Sequence, residues 1–201
     1  MPYRLHGLTL NQIALRIKFV TKKDLLWKIA YLALAGGVFM IDQTTKAWAT
    51  RSLRYGGDMP VIDGLLNFAY AQNTGIAFSM LDDHGDVGRW GLSVVAFIAA
   101  TLVLYYFWRT PRTDDAVMGA LALLLAGIAG NVTDRMRLGF VVDFIDVQFG
   151  SWHYPTFNVA DAAICIGAGL LVIDMFRNKK EQVSPEKVGA AIQDKSDTSS
   201  T

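Results

Sequence analysis

Four long apolar stretches constrain the fold of this chain more than any other feature of its sequence. A helix needs about 20 mostly apolar residues to cross the hydrocarbon core of a bilayer. Four segments approach that length, and they are residues 25–48, 90–108, 116–133 and 157–176. The chain is also 52% hydrophobic and only 18% charged, a composition that excludes most soluble domains. The sequence therefore predicts an all-α membrane protein built as a bundle of four transmembrane helices.

The lysines and arginines are unequally divided between the two sides of this predicted bundle. More of them lie on the side that holds both termini than in the two long loops on the other side, residues 50–89 and 134–156. Positively charged segments close to membrane spans are retained in the cytoplasm. We therefore expect both termini to be cytoplasmic and both loops to face outward, into the periplasm.

Both outer loops contain segments of strand-like composition. Val61–Tyr70 and Ile76–Met80 follow a turn-forming cluster at residues 55–60, and Val141–Phe149 is rich in β-branched and aromatic residues. These segments predict a small extramembrane β-sheet on the outer side of the membrane.

The segments that flank the predicted membrane domain, residues 25–177, differ from it in composition. The N-terminal extension, residues 1–24, is basic, and we expect it in the cytoplasm. The tail, residues 178–201, is polar with few large apolar residues, which predicts a disordered cytoplasmic segment.

The remaining composition excludes several kinds of site. A single cysteine, Cys165, rules out an internal disulfide framework and any CxxC motif, and we expect it to be a small buried hydrophobic residue. The three histidines lack the spacing of metal ligands, so no metal site is expected. A net charge of +1 gives no basic field that would attract nucleic acid.

Acidic residues near the ends of the predicted spans are the candidates for function. An ionisable side chain inside a span costs about 2.5–3.5 kcal/mol on insertion scales and usually faces the protein interior or a water-filled cavity. Four such acids fall at or beyond the outer ends of their spans: Asp42, Asp134, Asp143 and Asp161. They therefore predict a polar site at one level, close to the outer face of the membrane.

The spacing of other polar residues places partners beside these acids. Residues three or four apart lie on the same face of a helix. The groups with this spacing are Asp42 and Lys46, Asn131 with Asp134 and Arg135, and Asn158 and Asp161. In a strand near residues 141–147, alternation would point Asp143 and Asp146 to opposite faces, so only one of them can face the site.

Two carboxyl groups in one confined site are suited to peptide hydrolysis. They cannot both ionise cheaply, so one keeps its proton while the other is charged. The charged group can take a proton from water, and the protonated group can polarise the scissile carbonyl. This chemistry needs no serine or cysteine nucleophile, no metal and no cofactor. Two alternatives are a small transporter or channel whose acids relay protons or bind cations, and a non-catalytic lipid-binding scaffold.

Five short motifs carry a resemblance to a known family. They are Asp42-Gln-Thr-Thr-Lys46, Asn73-Thr-Gly-Ile-Ala-Phe78, Gly130-Asn-Val-Thr-Asp-Arg135, Val142-Asp-Phe144 and Phe157-Asn-Val-Ala-Asp161. In order and spacing they resemble the motifs of the lipoprotein signal peptidases, or signal peptidase II, a family of aspartyl endopeptidases. The resemblance covers roughly residues 25–177.

This resemblance implies an activity and a location. Such an enzyme cuts prolipoproteins on the amino side of the diacylglyceryl-modified cysteine of the lipobox and so releases the signal peptide. It would be a multi-pass protein of the bacterial cytoplasmic (inner) membrane, in contact with membrane phospholipid, with its active site near the periplasmic face. We also expect a monomer that is blocked by globomycin-type inhibitors.

The resemblance also implies roles for individual residues. Asp143 and Asp161 match the catalytic dyad of the family. The residues that match positions around the substrate and the dyad are Asn73, Gly75, Asn131, Arg135 and Asn158. The residues that match structural or positioning roles are Asp42, Lys46 and Asp134.

Three questions about these residues stay open in the sequence. Asp42 and Lys46 could form an interfacial ion pair that acts only in folding, because exposed pairs contribute little. Arg135 could reach either a lipid phosphate or a substrate carbonyl with its planar fork. A coupled pair of carboxyl groups titrates jointly, so the sequence does not assign the proton to Asp143 or Asp161.

Overall fold

The fold is dominated by four helices that are long and apolar enough to cross a membrane. The computed structural model describes residues 22–75, 86–150 and 152–182. The helices are α1 (Lys22–Ser52), α2 (Asp86–Arg109), α3 (Asp115–Leu138) and α4 (Val159–Gln182). The predicted four-helix bundle is therefore confirmed. The predictions for residues 1–21, for Ile76–Met80 and for the tail beyond residue 182 lie outside the described residues.

Helix α3 is the centre of the bundle, because it packs against each of the other three helices. Small residues make the close packing possible. A Cβ atom on Gly127 would collide with the backbone carbonyl of Ala160, and one on Gly167 would lie 2.8 Å from the carbonyl oxygen of Ala120. Glycines therefore let α3 and α4 approach closely, as small residues do in other membrane helix pairs.

Replacing Gly127 by alanine is expected to destabilise the bundle by about 1–3 kcal/mol, the range typical of overpacking. The new methyl group meets backbone rather than a flexible side chain, so the two helices must move apart. The measurement is the thermal midpoint of the purified protein in detergent. Gly36→Ala is the matched control, since nothing lies within 4 Å of a Cβ there. Equal midpoints for the two variants would contradict the close approach.

Large hydrophobic side chains cover the outside of the bundle. Phe97 is 72% exposed, and Val95 and Ile98 on the same helix exceed 50%. A helix with such a surface is suited to contact with lipid tails. Cys165 lies on this outer surface as well, so its predicted burial is wrong. A small apolar side chain meets no penalty there, because hydrocarbon surrounds it.

A four-stranded antiparallel sheet lies at one end of the bundle. Its strands are β1 (Met59–Ile62), β2 (Leu66–Asn73), β3 (Val141–Phe149) and β4 (Trp152–His153), and they follow one another in the order β1-β2-β3-β4. This confirms the predicted sheet. Strands β3 and β4 lie between α3 and α4 in the chain. We call this end, where α1 and α3 end and α4 begins, the sheet end of the bundle.

The register of the sheet brings distant residues side by side. Ala71 of β2 pairs with Asp143 of β3, and Asn73 pairs with Val141. Phe144, which points away from the Asp143 side of β3, packs against Ala49 and Leu53 of the end of α1. Apolar packing thus fixes β3 on the bundle and leaves Asp143 facing the beginning of α4.

Candidate active site

Asp161 is fixed at the beginning of α4 by a reciprocal cap with Asn158. The backbone N–H of Asp161 donates to Asn158 Oδ1 at 2.9 Å, and the backbone N–H of Asn158 donates to Asp161 Oδ2 at 3.2 Å. This is the arrangement of a capping box, with asparagine and aspartate in place of the usual pair. The other oxygen, Asp161 Oδ1, takes no part in this cap and accepts a hydrogen bond from Asn131 of α3.

The side chain of Asn158 joins the two candidate carboxylates. Its Nδ2 donates to Asp143 Oδ1 at 2.7 Å, while its backbone and its Oδ1 hold Asp161. Asn158 is fully buried. One asparagine therefore contacts both carboxyl groups, and the structure brings Asp143 and Asp161 into one site.

Asp143 sits in a polar pocket that opposes its ionisation. The residue is 2% exposed, and its Oδ2 accepts a hydrogen bond from Asn73 Nδ2 at 3.0 Å. Burial raises the pKa of Asp143 to about 6, and the nearby Asp161 carboxylate pushes it in the same direction. Hydrogen bonds from Asn73 and Asn158 oppose the increase. A site built in this way retains one proton well above the ordinary pKa of an aspartate.

Gly75 sets the direction of the Asn73 side chain. Its backbone N–H donates to Asn73 Oδ1 at 2.9 Å, which leaves Nδ2 to face Asp143. The turn requires a φ of +82° at Gly75, and a Cβ there would collide with the side chain of Leu92 on α2. A glycine meets both requirements without strain.

Asn131 is oriented toward Asp161 in the same way, by Lys46. The ammonium of Lys46 donates to Asn131 Oδ1 at 3.0 Å, so the amide nitrogen must face the other side. There Asn131 Nδ2 donates to Asp161 Oδ1 at 2.7 Å. Lys46 thereby acts on the carboxylate through one intervening side chain.

Lys46, Asp42 and Asp134 form a buried ionic cluster. Lys46 Nζ lies 3.0 Å from Asp42 Oδ2 and 3.0 Å from Asp134 Oδ2, and none of the three side chains is more than 6% exposed. Asp42 and Lys46 do form an ion pair, but it is buried rather than exposed. Both acids also accept backbone N–H groups, Asp42 from Ala160 at 2.8 Å and Asp134 from Val142 at 3.1 Å. The cluster ties α1 and α3 to β3 and α4.

Gln43 belongs to this cluster and was missed from the sequence. Its Nε2 contacts Asp42 Oδ2 at 3.1 Å, Asp134 Oδ1 at 3.2 Å and the Gly130 carbonyl at 3.3 Å. A polar amide beside Asp42 within an apolar helix was the signal available. It supplies donors to oxygens that Lys46 alone does not saturate.

Arg135 and Asp146 are placed differently from the rest. The half-buried Arg135 is within electrostatic range of Asp161, Asp143 and Asp134. In the part of the chain that the structure describes, its guanidinium makes no hydrogen bond or ion pair. Asp146 is directed away from the site, as alternation predicts, toward His153 Nδ1 at 3.0 Å. Its hydrogen bond with His153 holds the pKa of Asp146 below its usual range.

The chemical capacity of this site follows from its two carboxyl groups. The raised pKa of Asp143 favours its protonated form. Both carboxyl groups accept hydrogen bonds from asparagine amides, and other contacts of those asparagines fix the orientation of the amides. Such a pair can remove a proton from water and deliver one to a leaving group.

Comparison with known proteins relates this arrangement to a family. The family model for signal peptidase (SPase) II matches residues 14–177. A lipoprotein signal peptidase of Syntrophus aciditrophicus is 42% identical over 156 residues, which are 77% of this chain and 96% of that protein. One of Pseudoalteromonas atlantica is 41% identical over 151 residues, covering 75% of this chain and 92% of that protein.

Solved structures give the same result for the fold. A bacterial membrane enzyme determined by the in meso method at 2.3 Å resolution superposes with a TM-score of 0.67 and 29% identity, covering 76% of this chain and 91% of that one. Another, at 1.9 Å resolution, gives a TM-score of 0.65 and 31% identity, covering 73% and 92%. Because the family model matches most of this chain, and because relatives align with it over nearly their whole length, this chain belongs to the signal peptidase II family.

Proposed function

We propose that this protein is an intramembrane aspartyl endopeptidase that removes signal peptides from prolipoproteins. The cut falls on the amino side of the diacylglyceryl-modified lipobox cysteine, and Asp143 and Asp161 are the catalytic pair. The observation that carries the proposal is the bridge of Asn158, which holds both carboxyl groups in one buried site. Relatives named lipoprotein signal peptidase support the substrate class.

The proposed reaction uses one ionised and one protonated carboxyl group. The ionised carboxylate removes a proton from a water molecule, whose oxygen attacks the scissile carbonyl carbon. The protonated carboxyl donates a hydrogen bond to the carbonyl oxygen as negative charge develops on it. Collapse of the tetrahedral intermediate breaks the carbon–nitrogen bond, and a proton passes to the leaving amine. The raised pKa of Asp143 supports a pair that holds one proton between two groups.

The position of the pair supports a lipid-anchored substrate. Asp161 lies in the first turn of α4, and Asp143 lies on the sheet at the same end of the bundle. A cysteine that carries two acyl chains keeps its peptide bond near the membrane surface, within reach of a site at a helix end. We place this end at the periplasmic face of the bacterial inner membrane, with both termini in the cytoplasm, from the lysine and arginine asymmetry.

Arg135 is the proposed contact for the substrate backbone. Its guanidinium lies within electrostatic range of three carboxylates yet, among the described residues, forms no hydrogen bond of its own. The planar guanidinium of arginine carries several N–H donors, which can form hydrogen bonds with a peptide carbonyl oxygen. This places Arg135 as a substrate-binding residue rather than as a member of the ionic cluster.

The direct test is cleavage of a diacylglyceryl-modified prolipoprotein by the purified protein. We expect release of the signal peptide, inhibition by globomycin, and no effect of EDTA. The matched control is the same prolipoprotein without the lipid, which should stay uncut. Binding of the modified substrate without cleavage would overturn the enzyme proposal, and loss of activity with EDTA would overturn the metal-free mechanism.

The rate should depend on pH through the last proton of the pair. We expect kcat/KM to fall as pH rises through about 6, the pKa of Asp143 in the free protein, because a fully ionised pair has no proton to donate. Asn73→Ala removes a hydrogen-bond donor that favours the ionised form of Asp143. The fall in kcat/KM of this variant should therefore occur at a higher pH. The measurement is kcat/KM across a pH series for both proteins. If kcat/KM falls at the same pH in Asn73→Ala as in the wild type, the fall does not report the pKa of Asp143.

A further inference from the structure

A groove separates the ends of α1 and α3 at the sheet end of the bundle. It has a volume of about 230 Å³. Its wall includes Gln43, Lys46, Ala47, Thr50, Arg51, Asp134, Arg137, Leu138 and Val142. A second cavity of about 480 Å³ adjoins it on α1 and shares Gln43, Ala47 and Arg51 with it. Asp143 and Asp161 line neither cavity, although the groove shares Lys46 and Asp134 with the ionic cluster.

Two arginines give the groove a net positive charge. Arg51 lies in the last turn of α1 and Arg137 in the last turn of α3, and both are exposed. Within residues 22–75, 86–150 and 152–182, neither guanidinium forms a salt bridge or a hydrogen bond. The groove also contains Asp134, but that carboxylate is already held by Lys46 at 3.0 Å and by the backbone of Val142. Asp42 and Asp134 together carry one more charge than Lys46, so among the described residues the acids offset only part of the charge of the two guanidinium groups.

Arg54, just beyond the end of α1, differs from these two arginines because it has aromatic partners within the fold. Its guanidinium carbon lies 5.3 Å from the ring centroid of Tyr55 and 5.9 Å from that of Tyr70. A positive charge in the last turn of a helix also complements the helix dipole, which accounts for the sign of Arg51 and Arg137. The dipole does not account for their meeting at one groove.

The location of the groove specifies what anion it can meet. Both arginines stand at the ends of membrane-spanning helices, which is the level of the lipid headgroups. The indole of Trp48, 36% exposed, lines the adjoining cavity, and Met40 and Ile41 are more than half exposed further along α1. Charged groups at the headgroup level above an apolar, aromatic surface match the two parts of a phospholipid.

We propose that this groove binds the headgroup of an anionic phospholipid, with the phosphodiester held between Arg51 and Arg137 and the acyl chains lying along α1. A guanidinium fork matches phosphate oxygens and forms charge-assisted hydrogen bonds with them. The proposal goes beyond the proposed function and needs only that the helices span a bilayer. It does not depend on the cleavage chemistry.

The test is lipid binding by the delipidated full-length protein in detergent, measured by native mass spectrometry with phosphatidylglycerol and phosphatidylcholine. We expect selective retention of phosphatidylglycerol. The double variant Arg51→Gln, Arg137→Gln should lose affinity about tenfold or more, the effect of removing a charge-assisted hydrogen bond. Arg54→Gln is the matched control, since it removes the same charge from the same end of α1, and it should bind as the wild type does.

Three results would overturn the inference. They are equal retention of the two lipids, an unchanged affinity in the double variant, and displacement of the lipid by an equal concentration of inorganic phosphate, which would indicate a site for free phosphate. Thermal midpoints show whether the double variant is folded, and Arg51→Gln alone should give a smaller loss of affinity if the double variant is not. Because binding is measured without substrate, a failure here is distinct from a failure to cleave prolipoprotein.

Discussion

Asp143→Asn and Asp161→Asn should each reduce the rate of prolipoprotein cleavage on the order of 10³-fold, as loss of a general acid or base does. Each substitution keeps the size of the side chain and removes its ability to exchange a proton. Asn73 and Asn158 donate to the two oxygens of Asp143, and Asn131 and the backbone of Asn158 donate to those of Asp161. Each new amide therefore keeps one acceptor oxygen but turns its nitrogen toward a donor, so a moderate loss of stability is expected as well. The measurement is single-turnover cleavage of the lipid-modified substrate by purified protein in detergent.

Asp146→Asn is the matched control for this experiment. Asp146 lies on the same strand as Asp143 but contacts His153 and Asn67 on the opposite side. We expect this variant to retain most of the wild-type rate. Thermal midpoints of all the variants separate loss of chemistry from loss of folding. Wild-type cleavage by either dyad variant would refute the two-carboxylate mechanism.

The second large effect is expected from Lys46→Met, on stability. This substitution removes the cation that faces Asp42 and Asp134 and leaves two acids buried without compensation. Breaking a buried ion pair by removing one partner costs about 3–5 kcal/mol. We therefore expect a large decrease in the thermal midpoint in detergent. Cleavage should also slow, because Asn131 loses the contact that turns its amide toward Asp161.

A control variant and a rescue variant accompany Lys46→Met. Lys23→Met makes the same change at an exposed position near the start of α1 and should leave the midpoint nearly unchanged. Adding Asp42→Asn and Asp134→Asn to Lys46→Met removes the uncompensated charges and should recover part of the lost stability. A midpoint equal to the wild type in Lys46→Met would show that the cluster does not hold the helices together.

Much of the fold could be predicted, because the bilayer imposes strong and local requirements on sequence. A span needs length and apolar composition, and both are visible without any knowledge of tertiary contacts. The strand Val141–Phe149 was also predicted with its observed bounds, since β-branched and aromatic residues are concentrated there. Helix α1 was harder to delimit, as it continues through Asp42 and Lys46 to Ser52.

The candidate site was only partly predictable for a related reason. Helical spacing indicated that Asp42 with Lys46, and Asn158 with Asp161, are neighbours, and both pairs are in contact. Contacts between residues of different helices or strands cannot be inferred from helical spacing. Nothing in the spacing of Gln43 indicates that its amide reaches Asp134, 91 residues away in sequence.

The sequence by itself determined the four spans, the sheet and the set of polar residues available at one end of the bundle, because hydrophobic length and helical or strand periodicity act within short segments. Only the tertiary structure decided which of those residues meet. Asp143 reaches Asp161 through Asn158, and Lys46 becomes a buried cation between two acids, because close packing of α1, α3 and α4 removes the water that would otherwise separate them. That same packing raises the pKa of Asp143, a property of its surroundings that no local pattern encodes.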